Sequence, residues 1–194
     1  MKVSIELKCK TSKEWLDAVL LDFNSFLQDH ADCERKASAM ALSFVAKYPD
    51  RKEIIPELIE TAVEELEHFQ QVYKVMEDRG VALSQEITKD EYMNQFLALC
   101  RSGKTERFMD RLLMASIVEC RGCERFKLVA ENLDDPELST FYKELWRSEA
   151  RHGNLFVSMA LNYFDEESVF NRLDELATKE AGIIQNLDIK AAVH

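Results

Sequence analysis

Apolar residues recur along this chain at alternating steps of four and three, the signature of one buried stripe on an α-helix, and the pattern holds over four long stretches. The first stripe reads Leu16, Leu20, Phe23, Leu27, His30, Glu34, Ala37, Ala41, Phe44, Tyr48, and the second Leu58, Thr61, Glu65, His68, Val72, Val75. The third reads Phe108, Leu112, Ala115, Glu119, Gly122, Phe126, Val129, and the fourth Leu138, Tyr142, Leu145, Glu149, His152, Phe156, Met159. Capping and turn residues set the expected ends. One unbroken helix should run from the capping pattern Thr11-Ser12-Lys13-Glu14 to Tyr48-Pro49, and a second from about Asp50, with Pro56 early, to Gly80. Residues 81 to 103 read as a connection with a short helix from about Lys89 to Cys100, closed by Ser102-Gly103. A third long helix spans about Thr105 to Leu133, and Asp134-Asp135-Pro136 opens a fourth that reaches about Tyr163. An amphipathic segment from Glu166 to about Ala181 carries Val169, Leu173, Leu176 and Ala177, and the last residues read as a loose tail. The pattern predicts an all-α protein. It predicts a four-helix bundle over about residues 12–163, with a crossover connection and an additional C-terminal helix, in a single domain of residues 1–194.

Every stripe is apolar except near its middle, where each carries a carboxylate. A buried carboxylate costs several kcal/mol unless it is paired or bound to a cation, and no lysine or arginine stands on the four stripes to compensate it. Two of the carboxylates belong to Glu-x-x-His pairs, Glu65/His68 and Glu149/His152, whose side chains share one helix face. Glu34 precedes Glu65 by 31 residues and Glu119 precedes Glu149 by 30, so the chain reads as two helical hairpins with equivalent donors. Oxygen donors with one imidazole per metal suit iron or manganese better than zinc. The expected ligands of a dinuclear centre are therefore Glu34, Glu65, His68, Glu119, Glu149 and His152, with Glu34 and Glu119 bridging or capping.

Neighbouring residues compete for these roles. Glu124 lies five positions after Glu119, but Arg121 and Lys127 beside it indicate a solvated face, so Glu119 is preferred. His30, one turn from Glu34, is read as a core histidine or a support for a ligand. Glu64, Glu67 and Glu144 fall off the stripes, and Tyr142 is read as packing. Cys120 and Cys123 stand in a Cys-x-x-Cys spacing inside a helix with no second pair, which reads as small helix-packing residues.

Composition narrows the setting. The 194 residues are 46% hydrophobic with 5 glycines and 3 prolines, enough for a substantial core with short connections. Five cysteines suit reduced thiols, and Met1–Lys10 lacks the apolar core of a signal peptide. No apolar run approaches the roughly 20 residues that cross a bilayer. These features predict a cytoplasmic protein with no membrane partner.

The ligand pattern resembles that of the ferritin-like di-iron carboxylate proteins. At finer detail the chain is similar to the tRNA-(2-methylthio-isopentenyl-adenosine) hydroxylase family, in Asp32-Cys33-Glu34-Arg35-Lys36-Ala37, Glu64-Glu65-Leu66-Glu67-His68-Phe69, Ser116-Ile117-Val118-Glu119-Cys120-Arg121 and Arg147-Ser148-Glu149-Ala150-Arg151-His152. The resemblance implies a monooxygenase with two iron ions and dioxygen as co-substrate. It would hydroxylate the isopentenyl side chain of a hypermodified adenosine next to the anticodon. An external electron-transfer partner is implied too, because nothing in the sequence resembles a flavin or iron–sulfur module. The same ligands also serve bacterioferritin- and rubrerythrin-like ferroxidases or iron-storage proteins and manganese catalases, and a helical scaffold without catalysis is the non-enzymatic alternative.

A net charge of −11 means that a tRNA or nucleoside partner needs a local basic patch. Between Arg101 and Lys127 seven basic residues face four acidic ones, and Lys104, Arg107, Arg111, Arg121 and Arg125 recur at helical spacing. These are the expected tRNA contacts. Arg35, Lys36, Arg147 and Arg151 flank the expected ligands and either extend this patch or balance nearby acids.

Overall fold

The computed structural model describes residues 5–85 and 90–194. Its regular elements are α1 (Lys13–Leu21), α2 (Phe23–Lys47), α3 (Ile55–Asp78), α4 (Glu91–Leu97), α5 (Lys104–Asn132), α6 (Pro136–Leu161) and α7 (Glu166–Asn186). No strand occurs among the described residues, and none of these helices is long and apolar enough to cross a membrane. The chain folds as two compact units, residues 18–87 with 190–193, and residues 1–17 with 88–189 and 194.

The first unit is the α2/α3 hairpin. The single helix expected from residue 12 to 48 is broken at Asp22, which leaves helical geometry at φ −130° and ψ 65°. Its carboxylate accepts from the Ser25 amide at 3.2 Å and the Ser25 hydroxyl at 2.7 Å, making it the N-cap of α2. The break rotates the earlier stripe. Trp15 and Val19 are buried where Leu16 and Leu20 were expected, and Leu20 is 38% exposed. Beyond the break the expected stripe holds, with Leu27, His30, Glu34, Ala41 and Phe44 buried. On α3, Leu58, Thr61, Glu65, His68 and Val72 are buried, and Pro56 occupies the first turn, where its missing N–H costs nothing. The Ser38 hydroxyl donates to the Ala62 carbonyl at 2.7 Å and ties the two helices together. Gly80, at φ 68°, ends the hairpin in the left-handed region that glycine tolerates.

The second unit is built on the α5/α6 hairpin. All seven expected stripe positions of α6 are buried. A Cβ on Gly153 would stand 2.5 Å from Cys120 Sγ, so glycine here lets α6 approach α5 closely. The Cys123 thiol donates to the Trp146 carbonyl at 3.3 Å, and the Ser139 hydroxyl to the Ala130 carbonyl at 2.8 Å. Cys120 and Cys123 are thus packing residues. Burial raises their thiols to about 12 and about 11.

Helix α7 extends five residues past its expected end at Ala181 and docks through buried ion pairs. Asp110, fully buried on α5, accepts from the Arg172 guanidinium at 2.8 and 3.0 Å and from that of Arg101 at 2.7 Å. Burial would raise the Asp110 pKa, but the hydrogen bonds from Arg172 and Arg101 outweigh it and hold the carboxyl below its ordinary value. The stabilisation is therefore complete above the ordinary carboxylate range and is lost as pH falls through the depressed pKa. Asp110→Asn should cost about 2–3 kcal/mol at neutral pH. In urea titrations across pH, the gap between variant and wild type should narrow below about pH 4; a constant gap would contradict this assignment.

Two smaller expectations need correction. Short helix α4 spans Glu91–Leu97 rather than reaching Cys100, and Lys89, where it was expected to begin, lies outside the described residues. The C-terminal residues are not a loose tail. In the first unit the Val193 amide donates to Asp29 at 2.7 Å, and in the second the His194 ring stacks on Tyr92 at 4.9 Å.

Candidate metal centre

Each hairpin brings two glutamates and one histidine together. On α2 and α3, Glu34, Glu65 and His68 are 4%, 1% and 6% exposed, and each offers a ligand atom within 4.8 Å of the others. His68 Nδ1 stands 3.4 Å from Glu65 Oε2 and 3.9 Å from Glu34 Oε2. The other oxygen of Glu34 shares a 2.7 Å hydrogen bond with His30 Nε2, one turn earlier on α2. His30 thus holds the carboxylate so that its second oxygen turns toward His68, the support that metal-binding carboxylates commonly receive.

On α5 and α6, Glu119, Glu149 and His152 repeat the arrangement, again with ligand atoms within 4.8 Å of one another. Glu149 and His152 are buried, Glu119 is half-buried, and His152 Nδ1 lies 3.1 Å from Glu149 Oε2. The competing Glu124 is engaged elsewhere. Its carboxylate accepts from the Thr11 amide at 3.1 Å, the Thr11 hydroxyl at 2.7 Å and Arg121. The helix start therefore uses Ser12 for its cap, through the Trp15 amide at 3.2 Å.

Two carboxylates and one imidazole in each set are hard donors suited to iron, and like charges packed this closely in a dry environment repel unless a cation joins them. The donor chemistry fits iron.

The expected tRNA contacts divide. Lys104 and Arg107 are exposed and Arg111 is half-buried. Arg121 and Arg125 are not at the surface. Arg121, 0% exposed, forms a bidentate pair with Glu180 of α7 at 2.9 and 3.0 Å, and Arg125, 5% exposed, lies over the Trp15 ring at 4.7 Å. Burial alone would lower the Arg121 pKa, but the hydrogen bonds and charge of Glu180 hold it above its ordinary value. Helical spacing placed these arginines on the same helix as Lys104 and Arg107, but α7 and the N-terminal segment cover them. Glu180 was missed at the sequence level, although it continues the α7 stripe of Leu173, Leu176 and Ala177, the same signal that marked the central glutamates.

Comparisons with known proteins cover nearly all of the chain. A family model described as tRNA-(MS[2]IO[6]A)-hydroxylase (MiaE) matches residues 1–194. A tRNA 2-(methylsulfanyl)-N(6)-isopentenyladenosine(37) hydroxylase from Pseudomonas putida is 35% identical over 188 residues, covering 97% of this chain and 91% of that protein. A protein of the same name from Salmonella typhimurium is 27% identical, covering 97% of this chain and 87% of its own. Among solved structures, a Synechococcus protein with aldehyde deformylating oxygenase activity superposes with a TM-score of 0.90 at 32% identity, over 95% of this chain and 92% of that one. The all-α, ferritin-like fold expected from the stripes is the fold of this neighbour.

Proposed function

Because the chain belongs to the tRNA-(MS[2]IO[6]A)-hydroxylase (MiaE) family, we propose that it is an oxygen-dependent tRNA hydroxylase acting on the isopentenyl side chain of a hypermodified adenosine next to the anticodon. Residues 1–194 form its single ferritin-like domain. Glu34, Glu65 and His68 would supply one set of metal ligands and Glu119, Glu149 and His152 the other, for two iron ions in all. The observation that carries this reading is the pair of Glu/Glu/His sets, each on its own hairpin with every donor buried but the half-buried Glu119, in a chain whose family is defined over its full length. When bound, iron would supply the activation of dioxygen needed to oxidise an unreactive C–H bond.

The chain's own residues do the rest. The carboxylates compensate the cation charge, burial keeps bulk water from the donors, and His30 fixes the orientation of Glu34. Lys104, Arg107 and Arg111 are proposed to meet tRNA phosphates. Electrons come from an external partner protein, and a tRNA substrate sets the site of action in the cytoplasm.

Purified protein loaded with ferrous iron, given a reductant and dioxygen, should convert isopentenylated tRNA to its hydroxylated form, read by mass spectrometry of the released nucleosides. An aldehyde offered in parallel tests the activity described for the Synechococcus protein. Iron uptake into a large shell, with no hydroxylated nucleoside, would favour the iron-storage alternative.

A further inference from the structure

Several surface charges of this acidic chain neutralise one another. Lys8 pairs with Asp174 at 2.6 Å, Lys13 with Asp17 at 2.6 Å, Lys179 with Glu175 at 2.6 Å, and Arg35 and Lys36 both with Asp32. Of the four basic residues that flank the expected ligands, the two on α2 thus balance a neighbouring acid. On α6, Arg151 donates to the Ser148 hydroxyl at 3.3 Å. Lys143, Arg147 and Arg151 are all exposed and stand at successive steps of four, one line along the helix about 12 Å long. Among the described residues, neither Lys143 nor Arg147 has a carboxylate within ion-pair distance.

Between them lies Trp146, half-buried, with its backbone carbonyl anchored to α5 by the Cys123 thiol. The Arg147 guanidinium sits 5.8 Å from its ring centroid, and Lys127 of α5 reaches the same ring at 5.8 Å. The acids nearby are Glu144, exposed on α6, Glu131, 3.9 Å from Lys127, and Glu119, Glu124 and Glu149, whose charges reach the Cys123 thiol under Trp146. Lys127 and Arg147 flank one indole, and Lys143 and Arg151 continue an exposed basic line along α6 in a chain of net charge −11. Cations interleaved with an aromatic face match the chemistry of an RNA strand, whose phosphates need counter-charge and whose bases stack.

We propose that Lys127, Lys143, Trp146, Arg147 and Arg151 form an RNA-binding surface on the α5/α6 hairpin that grips the phosphates of the tRNA substrate. The surface lies within two turns of Glu149 and His152 on the same helix, so a strand held there is tied directly to the element that presents two of the expected ligands. This inference rests on the hydroxylase reading and adds to it where the substrate is held.

The test measures binding of isopentenylated tRNA by fluorescence anisotropy across a salt series, with hydroxylation assayed on the same preparations. The Lys143→Glu/Arg147→Glu variant should bind at least about tenfold more weakly, and the slope of log Kd against log salt should fall by about 1.5 to 2, the loss expected for two phosphate contacts. Lys52→Glu/Lys74→Glu makes the same change in net charge at exposed positions elsewhere and should leave affinity and slope near wild type. Arg147→Lys should recover most of the slope. Wild-type hydroxylation of tRNA together with unchanged affinity and slope in Lys143→Glu/Arg147→Glu would overturn this surface and leave the hydroxylase reading standing. Equal losses in both reversal variants would also overturn it, by assigning the effect to net charge. A wild-type protein that neither binds nor hydroxylates tRNA, or that binds anionic phosphatidylserine vesicles instead, would overturn both.

Discussion

Glu119→Ala should lose iron and turnover together, whereas Glu124→Ala should keep its iron. Glu119 contributes a carboxylate within 4.8 Å of the donors of Glu149 and His152, while Glu124 is held by Thr11 and Arg121. Removing a residue that only supports a ligand typically weakens metal affinity or activity 10- to 100-fold, so removing a ligand itself should lower turnover by more than about a hundredfold. Stability separates this loss from misfolding. In the apo state the packed carboxylates repel, so apo Glu119→Ala should unfold at the same denaturant concentration as apo wild type or a higher one. Added ferrous iron should then stabilise only the wild type, because a ligand stabilises whichever fold binds it. Unchanged iron content in Glu119→Ala, measured by metal analysis, would remove this residue from the centre.

The second large effect is expected at the buried pair that docks α7. Arg121 and Glu180 are both 0% exposed, and the Tyr92 hydroxyl donates to the same Glu180 carboxylate at 3.3 Å. Deleting one partner strands the other charge in a dry interior, so Glu180→Leu or Arg121→Met alone should cost about 3–5 kcal/mol. The double variant should recover much of that loss, because both fully buried charges are gone and Glu124, which Arg121 also reaches, is part-exposed and keeps its bonds from Thr11. Denaturant midpoints at unchanged m report this directly. Single-variant losses under about 1 kcal/mol would mean that the pair behaves as a solvated surface bridge.

Periodicity alone made much of this architecture legible. Four stripes with a carboxylate at each centre marked two helical hairpins and all six expected ligands, because an acid on an apolar stripe is costly enough to need a reason. Individual positions show where that reasoning stops. The rotation at Asp22 depends on a side chain outbidding the helix for the Ser25 amide, a competition between two permitted local structures that spacing does not resolve. Helical spacing equally could not tell Arg121 and Arg125 from Lys104 and Arg107. The difference arises when α7 and residues 9–15 cover one stretch of α5 and leave its first turn open to water. Spacing along one helix is a local property and survives in the bare sequence. Whether a charge faces solvent or a partner depends on residues as far as 112 positions away, as Cys9 is from Arg121, and is decided when the chain packs.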